Sequence, residues 1–283
     1  MMNQTRYKGQ KIAFLTQHGK QEVVAAALEP VLGCEVVHVS TYDTDLLGSF
    51  TRDVPRSGTQ LEAARRKARK GMELAGLKMG LASEGSFSTD PYTGMMPWNR
   101  EIVVLIDDEL GIEVVGMAQG STIAGQILTA SWDEVEQFAR KLGFPQQQVV
   151  MRPQSENDPR IIKGIGSWEK LGDAFTHLQV EADNRKVFVE PDLRAFASPT
   201  RMSHIARASE DLAQRILSCC PQCAAPGFSV VQRQPGLPCE LCGTPTTTYL
   251  SETLRCVLCK HEEQRQRQDL QYADPRHCPQ CNP

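Results

Sequence analysis

No stretch of this 283-residue chain is apolar for long enough to cross a membrane, and its polar start, MMNQTRYKGQK, lacks the apolar core of a secretion signal. Those absences argue against a membrane protein and set the expected location in the cytoplasm. Charge of one sign is also lacking. The chain carries 31 Lys and Arg against 34 Asp and Glu, a formal net charge of -3. It therefore has no general attraction for nucleic acid or for a membrane surface. Secretory context for disulfides is missing too, although there are ten cysteines. Eight of them form four Cys-x-x-Cys pairs between residues 220 and 283. In a chain without an export signal, that pattern reads as metal binding in a reducing compartment. Apolar residues are not scarce. They make up 40% of the sequence, enough for one large domain and one small one.

The four pairs are Cys220/Cys223, Cys239/Cys242, Cys256/Cys259 and Cys278/Cys281. The first two pairs stand 15 residues apart and the last two 18, spacings that suit zinc sites built from two knuckles each. A Cys-x-x-Cys turn aims two sulfurs at one point, so four pairs make two closed four-thiolate sites. Such sites leave no open coordination position, so both zinc ions are expected to be structural. Spacing leaves open whether neighbouring pairs join in sequence or interleave. From Ser218 onward six Lys/Arg meet six Asp/Glu, and each zinc with four thiolates adds two negative charges. The aromatic residues Phe228, Tyr249 and Tyr272 are too few for a base-stacking platform. The tail is therefore expected to dock a protein or a second copy of the chain, a homodimer, in preference to gripping nucleic acid.

The first 217 residues read as an α/β domain with a mixed central sheet flanked by helices. Lys11 to Thr16 is a buried-strand pattern, followed by Gln17-His18-Gly19-Lys20 and the apolar-faced helix QEVVAAALEPVL. A strand, a glycine turn and a helix N-terminus form a natural anion site, to which Lys20 adds a full charge. Cys34 to Ser40 is a second strand, with Cys34 a core thiol. Thr41 to Gly58 is a long connection holding Asp43, Asp45 and Asp53. A helix spans about Thr59 to Ala75, with Gly76 as its stop. The short strand Met79 to Ala82 then delivers Ser83 and Glu84 at its C-terminal end, where ligands sit in open α/β sheets.

Farther on, Ser88 to Asn99 reads as an ordered loop over that site. Glu101–Asp107 and Ile112–Ala118 form a hairpin across Asp108-Glu109-Leu110-Gly111. Ser131-Trp132-Asp133-Glu134 is a capping box opening a helix to about Leu142. Val149 to Arg152 is a short strand, residues 153 to 166 are turn-rich, and a helix follows from Trp168 to about Val180. Lys186 to Glu190 is a strand, and a last helix runs through Leu217.

Glu62-Ala63-Ala64-Arg65-Arg66-Lys67-Ala68, Ala75-Gly76-Leu77 and Ala82-Ser83-Glu84-Gly85 together resemble the helix, turn and strand of the inosine/xanthosine-triphosphate pyrophosphatase superfamily. Pro199-Thr200-Arg201-Met202-Ser203-His204 resembles its Ser-His-Arg segment, with Ile205 in place of the Arg and Arg207 nearby. Lys20, Lys67, Glu84 and Ser203-His204 fall in the order found in that family. One of its two acidic strand residues is missing here, because Ser83 stands beside Glu84. The whole chain also resembles an uncharacterised bacterial domain family with cysteine knuckles at its C-terminus.

The resemblance implies a Mg²⁺-dependent hydrolase that cuts a nucleoside triphosphate, including those with non-standard bases, to a monophosphate and pyrophosphate. Asp53 and Glu84 would hold Mg²⁺, Lys20 and Lys67 would offset charge on the leaving pyrophosphate, and Ser203, His204 and Arg207, with Ser83, would contact the nucleotide. The alternative is a nucleotide-binding or scaffold protein that works through its zinc ribbons without turnover.

Overall fold

The computed structural model describes residues 6–17, 19–42 and 58–283. Two compact units emerge: Met1–Glu109 with Val115–Ala213, and Leu110–Val114 with Gln214–Pro283. The second unit begins four residues before the expected boundary and takes in a short piece of the central hairpin.

Strands β1 (Lys11–Leu15), β2 (Glu35–Val39), β3 (Met79–Thr89), β4 (Pro97–Asp107) and β5 (Ile112–Ser121, in the first unit from Val115) form a sheet in the order β2-β1-β3-β4-β5. β1 runs parallel to both β2 and β3, whereas β3 and β4 are antiparallel, so the sheet is mixed as expected. Helix α1 (Lys20–Leu32) links β1 to β2. Helix α2 (Gln60–Ala75) opens on a full capping box, in which the Thr59 hydroxyl accepts from the Glu62 amide and the Glu62 carboxylate accepts from the Thr59 amide. Its inward stripe of Ala64, Ala68 and Met72 packs on Ala82, Ile102, Val104 and Ile106 of β3 and β4.

β3 is longer than its sequence suggests. It runs to Thr89 and pairs with β4 along its whole length, whereas β1 pairs with it only at Gly80 and Leu81. Ser83 and Glu84 therefore lie inside β3, yet beyond the end of β1, where the parallel part of the sheet stops. The expected loop from Ser88 to Asn99 shrinks to a tight turn over residues 90–96. There the Asp90 carboxylate accepts from the amides of Tyr92, Thr93, Met95 and Met96, and these bonds hold it well below the usual carboxylate range.

A second sheet has the order β6-β9-β7-β8, built from β6 (Ile127–Thr129), β7 (Val149–Pro153), β8 (Ile162–Ile165) and β9 (Val187–Pro191). Helices α3 (Trp132–Leu142) and α4 (Trp168–Glu181) cover it with Val135, Ala139, Leu171, Phe175 and Leu178. Strand β8 comes from the stretch read as turn-rich, and β6 from residues to which the sequence assigns no element. Their few apolar residues are too short a run to show a period. The capping box expected at Ser131 is half formed. Ser131 accepts from the Glu134 amide, but the Glu134 carboxylate turns back to accept from the Thr129 hydroxyl. The last helix, α5 (Pro199–Leu217), belongs to this unit as far as Ala213.

The second unit holds a three-stranded antiparallel sheet, β10 (Ser229–Pro235), β11 (Tyr249–Arg255) and β12 (Glu262–Gln266). Its small core consists of Ala225, Phe228, Leu254, Cys220 and Cys256. Among the described residues, no helix is long and apolar enough to cross a membrane.

Candidate functional site

Strand register in the second unit decides which cysteines meet. Ser229 pairs with Arg255, so the chain entering β10 lies beside the chain leaving β11. The knuckle before β10 and the knuckle after β11 are thereby brought together, and Cys220, Cys223, Cys256 and Cys259 gather with all ligand atoms within 4.8 Å of one another. At the other end, Ser251 pairs with Gln266, and Cys239 bridges to Ala273. That register gathers Cys239, Cys242, Cys278 and Cys281 into the second quartet. The knuckles interleave, first with third and second with fourth.

The sulfur spacings suit a metal of known size. Cys220 and Cys259 are 3.7 Å apart, as are Cys223 and Cys256, while Cys239–Cys281 and Cys242–Cys278 measure 3.9 and 3.6 Å. A tetrahedron with zinc–sulfur bonds of about 2.3 Å has edges of about 3.8 Å. The eight thiols thus form two quartets that could hold two zinc ions. With four sulfurs at each centre no position would be left for a substrate, so a zinc ion held there would be structural. Cys219 is exposed and belongs to neither quartet.

The first unit carries a different constellation, on β3 and β4 just beyond the end of β1. Alternation along β3 sends Glu84 to the α2 face and Ser83 and Gly85 to the other. Glu84 is buried and forms an ion pair with Lys67 of α2, whose side chain is itself only 12% exposed. Gln60, the first residue of the same helix, donates to the carbonyls of Glu84 (2.7 Å) and Arg100 (2.9 Å), which fixes α2 against the strand pair.

On the opposite face stands a carboxylate that sequence reading missed. Glu101 of β4 lies directly across from Gly85 and is fully buried. Arg201, from the first turns of α5, donates to it through Nε at 2.6 Å. Gly85 makes this pair feasible, since a methyl group there would lie 2.2 Å from Glu101 Oε1 and 2.6 Å from Arg201 Nη2. Asn99 donates to Glu101 Oε1 (3.1 Å) and to the Ser86 carbonyl (3.2 Å), and its Oδ1 lies 2.7 Å from Nδ1 of His204.

Lys20 joins the two faces. It is the first residue of α1, is buried, and donates to the Ser83 carbonyl at 3.4 Å. Burial, reinforced by the Arg201 charge, lowers its ammonium to about 7, against the pull of Glu101 and Glu84. Among the described residues, three cationic groups, Lys20, Lys67 and Arg201, therefore lie about two carboxylates. Beside it, Phe87, Trp98, Ile123, Pro191 and Leu193 line an apolar slot. Arg201 borders the slot, with its guanidinium 5.9 Å from the Phe87 ring centroid and its Nη1 donating to the Leu193 carbonyl at 2.6 Å.

Of the residues expected from sequence, Lys20, Lys67, Ser83 and Glu84 meet in this cluster. His204 is buried and reaches it through Asn99. Ser203 and Arg207 are exposed, so the Ser-His pair splits between two sides of α5, as successive residues do on a helix. Asp53, with Asp43, Asp45 and His18, lies outside the described residues. Arg201 could have been found, because it sits inside the segment that carries the Ser-His resemblance. Glu101 and Asn99 become site residues only through strand register.

A family model described as a domain of unknown function (DUF6671) matches residues 67–283. The matched span takes in Lys67, Glu84, Glu101, Arg201, His204 and all eight knuckle cysteines, and starts after Lys20. A search of curated proteins finds no match.

Proposed function

We propose, for a chain that belongs to the DUF6671 family, that its first unit hydrolyses a nucleoside triphosphate to a monophosphate and pyrophosphate. The zinc quartets serve only to fold the tail. The observation that carries this reading is the buried charge cluster of Lys20, Lys67, Arg201, Glu84 and Glu101. Burying two ion pairs on the two faces of one strand pair, with Lys20 between them, costs several kcal/mol per ion before pairing returns some of it. Three cationic groups gathered at one site suit a polyanion, and the apolar slot beside Arg201 offers a planar base a dry surface. The resemblance to the triphosphate pyrophosphatases points the same way, through Lys20, Lys67, Glu84 and His204.

In this reading Lys20, Lys67 and Arg201 bind the phosphates and stabilise negative charge as it grows on the departing pyrophosphate. Magnesium is commonly held by one or two carboxylates together with substrate phosphates, and Glu84 is the described carboxylate that suits this role. Once bound there, the ion would supply charge neutralisation to the phosphates. The Lys67 ion pair must open for Glu84 to take part. Asp53 remains a proposed second ligand on sequence grounds alone.

That same ion pair favours a second reading, nucleotide binding without turnover, with the ribbons providing the working surface for a protein partner or a second copy. A pyrophosphate-release screen over standard and deaminated triphosphates, with and without Mg²⁺, separates the two. Turnover of at least one triphosphate supports hydrolysis. Thermal stabilisation by nucleotides with no release supports binding alone, and neither effect removes both readings.

A further inference from the structure

The apolar slot opens where the two sheets of the first unit part. β5 ends as the Thr122 amide donates to the Pro97 carbonyl at 3.1 Å, and β6 begins with Ile127 paired to Val189 of β9. Between them Ile123, Ala124, Gly125 and Gln126 cross from one sheet to the other and form one wall of the slot. Among the described residues, no amide or carbonyl of these four has a hydrogen-bond partner, and the Gln126 carboxamide has none either. Main-chain groups in a folded chain are mostly paired within it or held by water. This run is anchored at both ends, yet its polar groups are left to whatever enters beside it. Gly125 turns the crossing at φ +139, a conformation closed to most side chains.

The remaining walls are apolar. Phe87 and Trp98 stand on the side of β3 and β4, with Pro191 and Leu193 on the side of β9. Tyr92 packs edge-on against Trp98, with 6.1 Å between ring centroids, from the turn that Asp90 holds together. The Trp98 indole N–H is buried and finds no acceptor among the described residues. A donor left in that state costs free energy that an occupant with an acceptor, or a trapped water, would return. The slot has a volume of about 200 Å³. Pockets for drug-sized ligands begin at roughly 300 Å³, so this one takes a single flat ring system. The charged cluster adjoins it through Arg201, whose guanidinium borders the Phe87 ring.

From this geometry we infer that the crossing of residues 123–126 reads the base of the nucleotide, main chain to ring edge. The inference rests on the nucleotide reading above and deepens it. The ring lies against Trp98 and Phe87, with its phosphates toward Arg201 and the cluster. Its polar edge meets an N–H donor and a C=O acceptor of the crossing, together with the Gln126 carboxamide, which carries both kinds of group. The ligand class is therefore a heterocycle that sets a donor and an acceptor side by side on one edge, as amino- and oxo-purines do. A flat ring without such an edge keeps the stacking and loses the pairing.

The test is calorimetric titration of the full zinc-loaded chain, in buffer without Mg²⁺, with ATP, ITP and the triphosphate of benzimidazole riboside. The last has the same phosphates and a flat bicyclic ring, but no donor–acceptor edge. ATP or ITP should bind about 10-fold or more tighter than this analogue, as two hydrogen bonds require. Gln126→Leu should cost the preferred purine about 5-fold and leave the analogue unchanged. Exchanging the amides of residues 123 to 126 for esters, one at a time, removes each N–H and keeps each side chain. At least one exchange should bring the same selective loss. Melting temperatures should stay at the wild-type value throughout, since the groups removed hold nothing in the free chain. Equal affinity for all three triphosphates overturns the inference and leaves nucleotide binding standing. So does a set of ester variants that all bind as wild type, or a loss that the benzimidazole analogue shares. Failure of every triphosphate to bind removes the nucleotide reading, and this inference with it.

Discussion

The Lys67–Glu84 pair is the part of the cluster whose energetics can be worked through from the structure. Both side chains are largely buried, at 12% and 3% exposure. Taking away one partner of a buried pair typically costs about 3–5 kcal/mol, because the other charge stays in a poorly solvated place. Residual exposure of Lys67 and the neighbouring charge of Lys20 put both single variants near the low end. For a unit of this size, each kcal/mol moves Tm by about 2–4 °C. Glu84→Gln and Lys67→Met should therefore each lower the melting temperature by roughly 6–12 °C. Replacing both residues removes both desolvation penalties, so the double variant should recover to within about 4 °C of wild type. The coupling would then be about 3 kcal/mol or more. The assay is a double-mutant cycle by thermal unfolding, followed by far-ultraviolet circular dichroism with zinc in slight excess. A double variant that loses the sum of the two single losses would refute the account of a buried, mutually dependent pair.

Further consequences concern the tail, Gly85 and Lys20. Purified chain should carry about two zinc ions, and Cys223→Ser with Cys259→Ser should still retain one, since both residues serve the same quartet. Cys223→Ser with Cys242→Ser should retain none. Sequential pairing would reverse these two results in elemental analysis. Gly85→Ala should destabilise by roughly 3 kcal/mol or more, because its methyl group would displace the buried Glu101–Arg201 pair. A urea midpoint equal to wild type would show that the pair can shift without cost. Lys20 titrates near 7 in the folded chain against 10.5 ordinarily. The unfolded chain therefore holds the extra proton between those values, and stability should rise with pH across that window. Lys20→Met should flatten the rise, and an unchanged slope would contradict the burial of the ammonium.

Much of the architecture was legible because long periodic segments announce themselves. The α2 stripe of Ala64, Ala68 and Met72, the caps at Gly76 and Ser131, and the β4–β5 hairpin all come from local chemistry that tertiary contacts reinforce. The short strands β6 and β8 escaped notice because three or four residues carry no usable period. Lys20, Lys67 and Glu84 could be picked out because each lies within or beside a motif. Glu101 could not, since what makes it a site residue is its register opposite Gly85, a relation 16 residues away across a turn. Knuckle pairing was undetermined for a similar reason. Equal Cys-x-x-Cys turns fit either pairing, and only the antiparallel register of β10 with β11 and of β11 with β12 selects the interleaved one.

The central claim, hydrolysis at the α-phosphorus within the Lys20–Lys67–Arg201 cluster, is tested most directly by turnover in ¹⁸O-water. The products are then separated and weighed by mass spectrometry. One ¹⁸O atom in the nucleoside monophosphate, with unlabelled pyrophosphate, is the result expected, and Lys67→Ala should depress its yield. Label in orthophosphate alongside a nucleoside diphosphate, or no product from any triphosphate offered, would contradict the account.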